Sequence, residues 1–408
     1  MNCRFCANPL QHVFVDLGHA PPSNAYLTVE QLSLPEITYP LKLYVCDRCW
    51  LVQVPAHAAA EQIFTPDYAY FSSVSTTWVE HARRYVDMIG DRLRLDHDSF
   101  VVEIASNDGY LLQFVRSRGI PCLGIEPTAS TARAARERGI ETIEEFFGEA
   151  LAHRLVNQRR PADLIVANNV LAHVPDLHDF VAGVRELLAP AGIATFEFPH
   201  LMQLVDQAQF DTIYHEHYSY LSFYTVQRIF LSQRLEVFDV EPLATHGGSL
   251  RVYAQRTDAG RRTVGDRVAM LLEQEETRGM RDLAYYGGFQ ARAERIKDDV
   301  VGFLLEQKRT GQSVAGYGAA AKGNTLLNFA GVRRDLLPYI CDAAPSKQGK
   351  FLPGSHLPIV SPEALKENRP PYVVILPWNL RDEISRDLEF VRAWDARLVI
   401  GIPGLEVF

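Results

Sequence analysis

The sequence predicts an α/β protein in three parts: a small cysteine-bearing N-terminal domain and two successive Rossmann-like, doubly wound sheets. Three observations predict this. Two C-x-x-C pairs, Cys3/Cys6 and Cys46/Cys49, stand near the start. Residues 101–112, VVEIASNDGYLL, run from an apolar strand through a loop of small residues into a helical pattern. Residues 314–325, VAGYGAAAKGNT, do the same a second time. With 408 residues the chain exceeds one ordinary core, so two or three domains are expected. Their boundaries are placed at 1–70, 71–285 and 286–408.

Composition is that of a globular protein, and it excludes several classes. A formal net charge of −9 argues against nucleic-acid binding. No apolar run reaches membrane-spanning length. The opening residues MNCRFC have no apolar secretion segment, so a cytoplasmic location is expected. In a reducing compartment the six cysteines should be thiols or metal ligands rather than disulfides.

Each part follows from its residues. A C-x-x-C turn holds two thiolates on one side of a tight loop. Two such turns make a closed S₄ site for a structural Zn²⁺ on Cys3, Cys6, Cys46 and Cys49. The long spacer between them implies an excursion over 15–34. A small region with few apolar residues needs such a staple. Residues 67–75, DYAYFSSVS, read as a packed linker or a flap. A helix over 76–93 follows, with Trp78, Ala82, Tyr85, Val86 and Ile89 at helical spacing.

Strands are predicted at 101–105, 121–126, 140–144, 163–168 and 192–197, with helices between them, which means a parallel sheet covered on both faces. The turn after the first strand exposes backbone N–H groups where such sheets bind ligands. Glu103, Ala105, Ser106, Asn107 and Gly109 belong to this turn, which looks like a variant of the S-adenosylmethionine (SAM) loop of class I methyltransferases. Glu126 ends the second strand, placed to accept both ribose hydroxyls of a nucleoside. Glu144, Glu145 and Phe146 follow the third strand, where an adenine would be reached. Asn168 and Asn169 end the fourth, and His173 lies just beyond.

Residues 210–221, FDTIYHEHYSYL, concentrate ionisable groups. If helical, Tyr214 and His217 share a face; if extended, His215 and His217 do. General acid/base chemistry, an aromatic cluster or a His-x-His metal pair would each use them differently. THGGSLRVY at 245–253 reads as a return hairpin, and 261–307 as a helical bridge. In the last part Gly316, Gly318 and Ala321 fit G-x-G-x-x-A after a strand. A strand over 337–340 then leads to Asp342, at the place of a ribose-binding acid. Lys322, Lys347 and Lys350 are basic groups suited to a pyrophosphate. Pro377-Trp378-Asn379 ends a later strand on the same side.

Taken in order, the paired knuckles, the E-x-x-x-N-D-G loop, the YHEHYSY stretch and the GYGAAAKGN turn resemble, over the full length, the SAM-dependent C-methyltransferases of nucleotide-linked 4-keto deoxysugars. The resemblance implies a zinc-binding N-terminal domain, a class I SAM methyltransferase middle domain and a Rossmann-like C-terminal domain that binds the nucleotide sugar. It implies SAM contacts from Glu103, Ala105, Ser106, Asn107, Gly109, Glu126 and Asn168. It implies nucleotide contacts from Gly316, Gly318, Ala319, Lys322, Asp342 and Lys347. It places Tyr214, Glu216, His217 and His173 around the sugar. The substrate it implies is a dTDP-linked 4-keto deoxysugar methylated at C3, and a monomer is expected.

The chemistry agrees. A ketone acidifies the neighbouring C–H, a base removes that proton, and the enolate carbon takes the methyl group. His217 is the expected base, Tyr214 a donor or alternative base, Glu216 a network partner, and His173 a polariser of the C4 oxygen. An NAD-dependent sugar-nucleotide oxidoreductase using the 316–321 turn is the competing reading, and a non-catalytic zinc adaptor a third.

Overall fold

The fold is that of a computed structural model in which residues 1–64 and 70–408 are described. Of the predicted linker or flap at 67–75, residues 67–69 lie outside the described residues.

β1 (His12–Ala20), β2 (Tyr39–Val45) and β3 (Val52–Gln53) form an antiparallel N-terminal sheet. The next helix, Thr76–Leu93, has the predicted bounds. Ser75 caps it by accepting from Trp78 N at 3.3 Å, and Arg94 in the left-handed region ends it.

The middle sheet is built from β4 (Val101–Ile104), β5 (Cys122–Ile125), β6 (Thr142–Ile143), β7 (Ala162–Asn168) and β8 (Leu188–Pro199), all parallel. β9 (Ser219–Tyr220) leaves it to pair with β3, so the YHEHYSY stretch closes the N-terminal sheet. β10 (Leu235–Leu243) and β11 (Ser249–Arg256) complete the order β10-β11-β8-β7-β4-β5-β6, with β11 antiparallel to both neighbours. The strands are buried on both faces, which is why they read as apolar runs. Strand order reverses beside β4, and the crevice at that point lies outside the strand ends.

A helical bridge follows, Asp266–Thr277, Leu283–Tyr286 and Phe289–Arg309. The C-terminal sheet holds β12 (Val314–Tyr317), β13 (Ile340–Cys341), β14 (Ile359–Val360), β15 (Tyr372–Ile375), β16 (Arg397–Ile400) and β17 (Glu406–Val407). Its order is β14-β13-β12-β15-β16-β17, parallel except for β17. The strand predicted at 337–340 starts only at Ile340. Leu336 and Leu337 are held in a turn by Arg333 O, and Pro338 has no N–H to give a ladder.

The three sheets share cores. Phe14, Val15 and Leu43 of the first sheet pack in one cluster with Phe210, Phe289 and Leu326. Cys3, Cys46, Cys49 and Leu51 pack instead with Phe223, Val226 and the middle sheet. Among the described residues no helix is long and apolar enough to cross a membrane.

Candidate active site and metal centre

The four N-terminal thiols converge. Each knuckle is closed by an N–H bond across the cysteine pair, Ala7 N to Cys3 O and Trp50 N to Cys46 O, both 2.9 Å. Sγ–Sγ distances are 3.5 Å for Cys3–Cys49 and for Cys6–Cys46, and all four sulfurs lie within 4.8 Å of one another. Zn–S bonds of about 2.3 Å in a tetrahedron place sulfurs about 3.8 Å apart, so the set fits zinc with no open position. Gln53 Nε2 donates to Cys3 Sγ at 3.1 Å, an outer contact that orients a ligand.

In the turn after β4, Ala105 and Asn107 have φ of +55° and +49°. Glu126, buried at the end of β5, holds this turn. Its Oε2 accepts from Asn107 N at 2.9 Å, and its Oε1 from Thr128 N at 3.0 Å. Burial raises its pKa, against the pull of these donors. Asn107 in turn holds the strap before the helix: Oδ1 accepts from Ser72 N at 2.9 Å and Nδ2 donates to Tyr70 O at 3.1 Å. The described end of the expected flap is thus tied to the turn after β4.

The C-terminal sheet repeats the device. Asp342, after β13, accepts from Ala319 N at 2.7 Å through Oδ2 and from Ala344 N at 2.8 Å through Oδ1. Here a lysine joins: Lys347 Nζ donates to Ala319 O at 2.9 Å and to Asp342 at 3.3 Å. The N-terminal excursion reaches the same spot, with Tyr26 O–H donating to Ala319 O at 2.6 Å.

Between the carboxyl ends of the two sheets lies a cavity of ≈ 490 Å³. Of the expected nucleoside residues, Ala105, Asn107, Glu126 and Asn168 line it. Both amide atoms of Asn168 are buried without a hydrogen-bond partner among the described residues. Glu103, Ser106 and Gly109 stand behind the lining. Burial, then Asp108 and Glu126, holds the Glu103 carboxyl well above its usual range. Gly109, at φ +76°, has Ile140 3.1 Å from where a Cβ would sit.

On the other wall Lys322 and Lys347 line the cavity. Lys322 Nζ donates to Asn379 Oδ1 at 2.5 Å and sits 5.0 Å from the Trp378 ring centre. Gly316, Gly318, Ala319 and Asp342 stand behind it. A Cβ on Gly318 would come 2.4 Å from Pro377 Cδ, so this glycine serves packing between β12 and the loop after β15.

Tyr214, His217 and His173 line the cavity between the two walls. The stretch is neither the helix nor the strand weighed from sequence. A 3₁₀ turn, Phe210–Thr212, precedes a tight turn closed by His217 N to Tyr214 O at 3.0 Å. His217 Nδ1 lies 2.9 Å from Thr212 O, a carbonyl that only accepts, so Nδ1 carries the proton. Nε2 is then the bare nitrogen and accepts from Tyr214 O–H at 2.8 Å. Burial, then His173, holds the His217 pKa well below its ordinary value, so the ring is neutral. Burial, then Glu216, holds the Tyr214 phenol well above its own.

His173 packs edge-on against His217, with ring centres 4.6 Å apart. Glu216 is buried outside the cavity wall, and both its oxygens accept from Asn24 Nδ2, at 2.8 and 3.0 Å. His215 turns away, its Nε2 3.3 Å from Pro40 O. The His-x-His is therefore not a shared metal face. Among the described residues the one other grouping with ligand spacing is the exposed Asp96, His97 and Asp98.

Among the lining residues that the sequence did not point to in this role are Asn24, Trp78 and His246. Trp78 reads as core from its spacing. Asn24 sits in the loop of a separate domain. Only the Gly-Gly after His246 signalled an unusual turn.

Burial pushes His173 and His246 down to about 4. Their unfolded value is near 6.5. Between those values the unfolded chain binds more protons, so stability is present above about pH 6.5 and is lost as pH falls toward 4. A thermal midpoint that stays level from pH 7 down to 4.5 would contradict this.

Three family models match the chain in succession. The zinc-binding-domain family matches residues 3–64, the methyltransferase-domain family 78–237, and the C-methyltransferase C-terminal-domain family 244–403. The C-methyltransferase NovU of Streptomyces niveus is 34% identical over 402 residues, covering 98% of this chain and 95% of that protein. The chain belongs to the C-methyltransferase family. It is a SAM-dependent enzyme with an N-terminal zinc-binding domain. Among solved structures, the PH0226 protein from Pyrococcus horikoshii OT3 covers 46% of this C-methyltransferase and 95% of its own chain, at TM-score 0.38 and 14% identity. A SAM-dependent methyltransferase from Mesorhizobium loti covers 41% and 96%, at TM-score 0.33 and 14% identity.

Proposed function

We propose that this C-methyltransferase methylates C3 of a dTDP-linked 4-keto deoxysugar in deoxysugar biosynthesis. In this reading residues 1–70 bind zinc, 71–285 bind SAM and 286–408 bind the nucleotide sugar. The observation that carries it is the cavity shared by two nucleotide-type sheets, with a neutral imidazole lone pair between them.

The residues divide the work. The turn held by Glu126, together with Asn168, takes the nucleoside end of SAM, and Glu103, Ser106 and Gly109 shape it from behind. Lys322 and Lys347 face the pyrophosphate of the sugar nucleotide, on a loop set by Gly316, Gly318, Ala319 and Asp342. Two lysines at one mouth suit two phosphates. SAM, when bound, supplies an electrophilic methyl group. The Tyr214 hydroxyl turns off His217 Nε2 when the sugar enters, and the freed lone pair receives the proton of the carbon beside the ketone. Thr212 O fixes the tautomer, as an acceptor behind a catalytic imidazole does. His173 keeps His217 neutral, and Glu216 anchors the loop to Asn24. The enzyme is proposed to act as a monomer.

Incubation with SAM and a dTDP-4-keto deoxysugar tests the reading. The sugar nucleotide should gain the mass of one methyl group, with a new carbon–carbon bond at C3 in the NMR spectrum. Turnover with NAD and no need for SAM would overturn it. A second expectation concerns Glu126. Glu126→Gln places an amide N–H₂ against a backbone N–H that needs an acceptor. Hydrogen bonds to a charged group are worth about 1.5–3 kcal/mol, so SAM affinity should fall roughly 10- to 100-fold. Calorimetry with dTDP should be unchanged; equal weakening of both ligands would mean the two sheets are assigned the wrong way round.

A further inference from the structure

The mechanism above leaves one imidazole of the cavity without a role. His246 sits in the turn between β10 and β11. That turn lies at the carboxyl edge of the middle sheet, where Ser249 pairs with Pro199. The chain goes to some length to hold it there. Residues 246, 247 and 248 have φ of +53°, +85° and +115° in succession. A non-glycine residue in that region is uncommon, and such strained residues gather at functional sites. The neighbours lock the turn. A Cβ on Gly247 would stand 2.4 Å from Trp378 Cη2, and one on Gly248 2.6 Å from Gln203 Cγ. Gln209 Nε2 donates to Gly247 O at 2.7 Å, and Thr245 Oγ1 donates to the buried Glu197 at 2.7 Å.

The ring's proton can be placed. In the orientation that puts Asn169 Nδ2 3.1 Å from His246 Nε2, the amide nitrogen donates, and Asn169 Oδ1 has no partner among the described residues. Nε2 therefore accepts, and the proton is on Nδ1. Nδ1 has no hydrogen-bond partner among the described residues. His217 is the opposite case, with Nδ1–H committed to Thr212 O and the Nε2 lone pair accepting from the Tyr214 hydroxyl. His173 is no substitute donor. The Glu216 backbone favours a proton on the side of the ring that faces it, and Nδ1 has no partner among the described residues.

We propose that His246 is a catalytic residue of the methyl transfer, whose Nδ1–H donates to the ketone oxygen of the sugar and stabilises the enolate. This rests on the substrate reading above. In the step concerned the C–H pair becomes the new C=C bond and the C=O π pair moves onto oxygen. The proton goes to His217 Nε2, and the oxygen's charge is held by His246. A neutral N–H in a desolvated site is well matched to an enolate, because it does not protonate it outright.

Exchange of deuterium from the reacting carbon into water, measured without SAM, reads this step alone. His246→Ala should slow exchange and kcat together by roughly 10²–10³, the usual worth of one such donor. SAM and dTDP isotherms on the same samples should show the fold and both sites intact. His246→Asn tolerates a positive φ and carries its amide N–H near the place of Nδ1, so it should recover at least about tenfold of the loss. Exchange at the unmutated rate in His246→Ala overturns the proposal, as does an Asn variant no faster than Ala. If the unmutated enzyme exchanges no deuterium from a dTDP-4-keto sugar, the substrate reading fails and takes this role with it.

Discussion

Asparagine in place of His217 is expected to lower kcat by roughly 10²–10⁴ while both ligands still bind. The geometry makes this substitution clean. An asparagine at 217 can still donate to Thr212 O, which keeps the loop between the 3₁₀ turn and β9 closed. It cannot take a proton, so Tyr214 loses its acceptor and the carbon its base. Deuterium at the reacting carbon should stop washing out, because that exchange needs only the base and the sugar. Tyr214→Phe separates the two members of the pair. A phenol raised well above its ordinary pKa is a poor source of phenolate at neutral pH, whereas a neutral imidazole is ready to accept. His217→Asn exchanging at the normal rate, with Tyr214→Phe inert, would move the base to Tyr214.

Much of this site could be read from residue order, and the reasons are local. The helix Thr76–Leu93 announces itself by spacing and by a serine cap. β4 and its turn follow from an apolar run meeting small residues, and Glu126 and Asp342 from their place one strand later. Two kinds of feature were not legible. The first is what a side chain does after folding: the spelling G-x-G at 316–318 does not say that Pro377 packs directly on Gly318. Nor do the positions of Glu126 and Asp342 say that each carboxylate closes the turn before it by accepting backbone N–H groups. The second is contact across sequence distance. Glu216 is held by Asn24, and Tyr26 reaches Ala319, each pair nearly two hundred residues apart or more. No periodicity encodes such pairs. The histidine tautomers likewise depend on carbonyls and amides that only the folded backbone supplies.

These long contacts set the expected result of removing the metal. Purified protein should hold about one zinc per chain, bound by thiolates. Metal-free chain, or Cys46→Ser, should show a marked fall in thermal midpoint, since metal-binding energy in such a domain is folding energy. The damage should also reach the cavity in a definite order. The excursion between the knuckles carries Asn24 and Tyr26, and through them the Glu216 loop and the Ala319–Lys347 corner of the nucleotide wall. By contrast, the Glu126 turn is held within its own sheet. In whatever folded protein remains, dTDP affinity should therefore fall more than SAM affinity. The metal side is not isolated from the middle core, because Thr225 donates to Cys49 O at 3.1 Å and His178 meets Phe5 O at 2.7 Å. Some loss of global stability must accompany the local effect, and titrating both ligands at a temperature well below the lowered midpoint separates the two. Metal-free protein with an unchanged midpoint would remove the structural role of the centre. A lowered midpoint with SAM affinity falling as far as dTDP affinity would mean that the excursion does not carry the coupling.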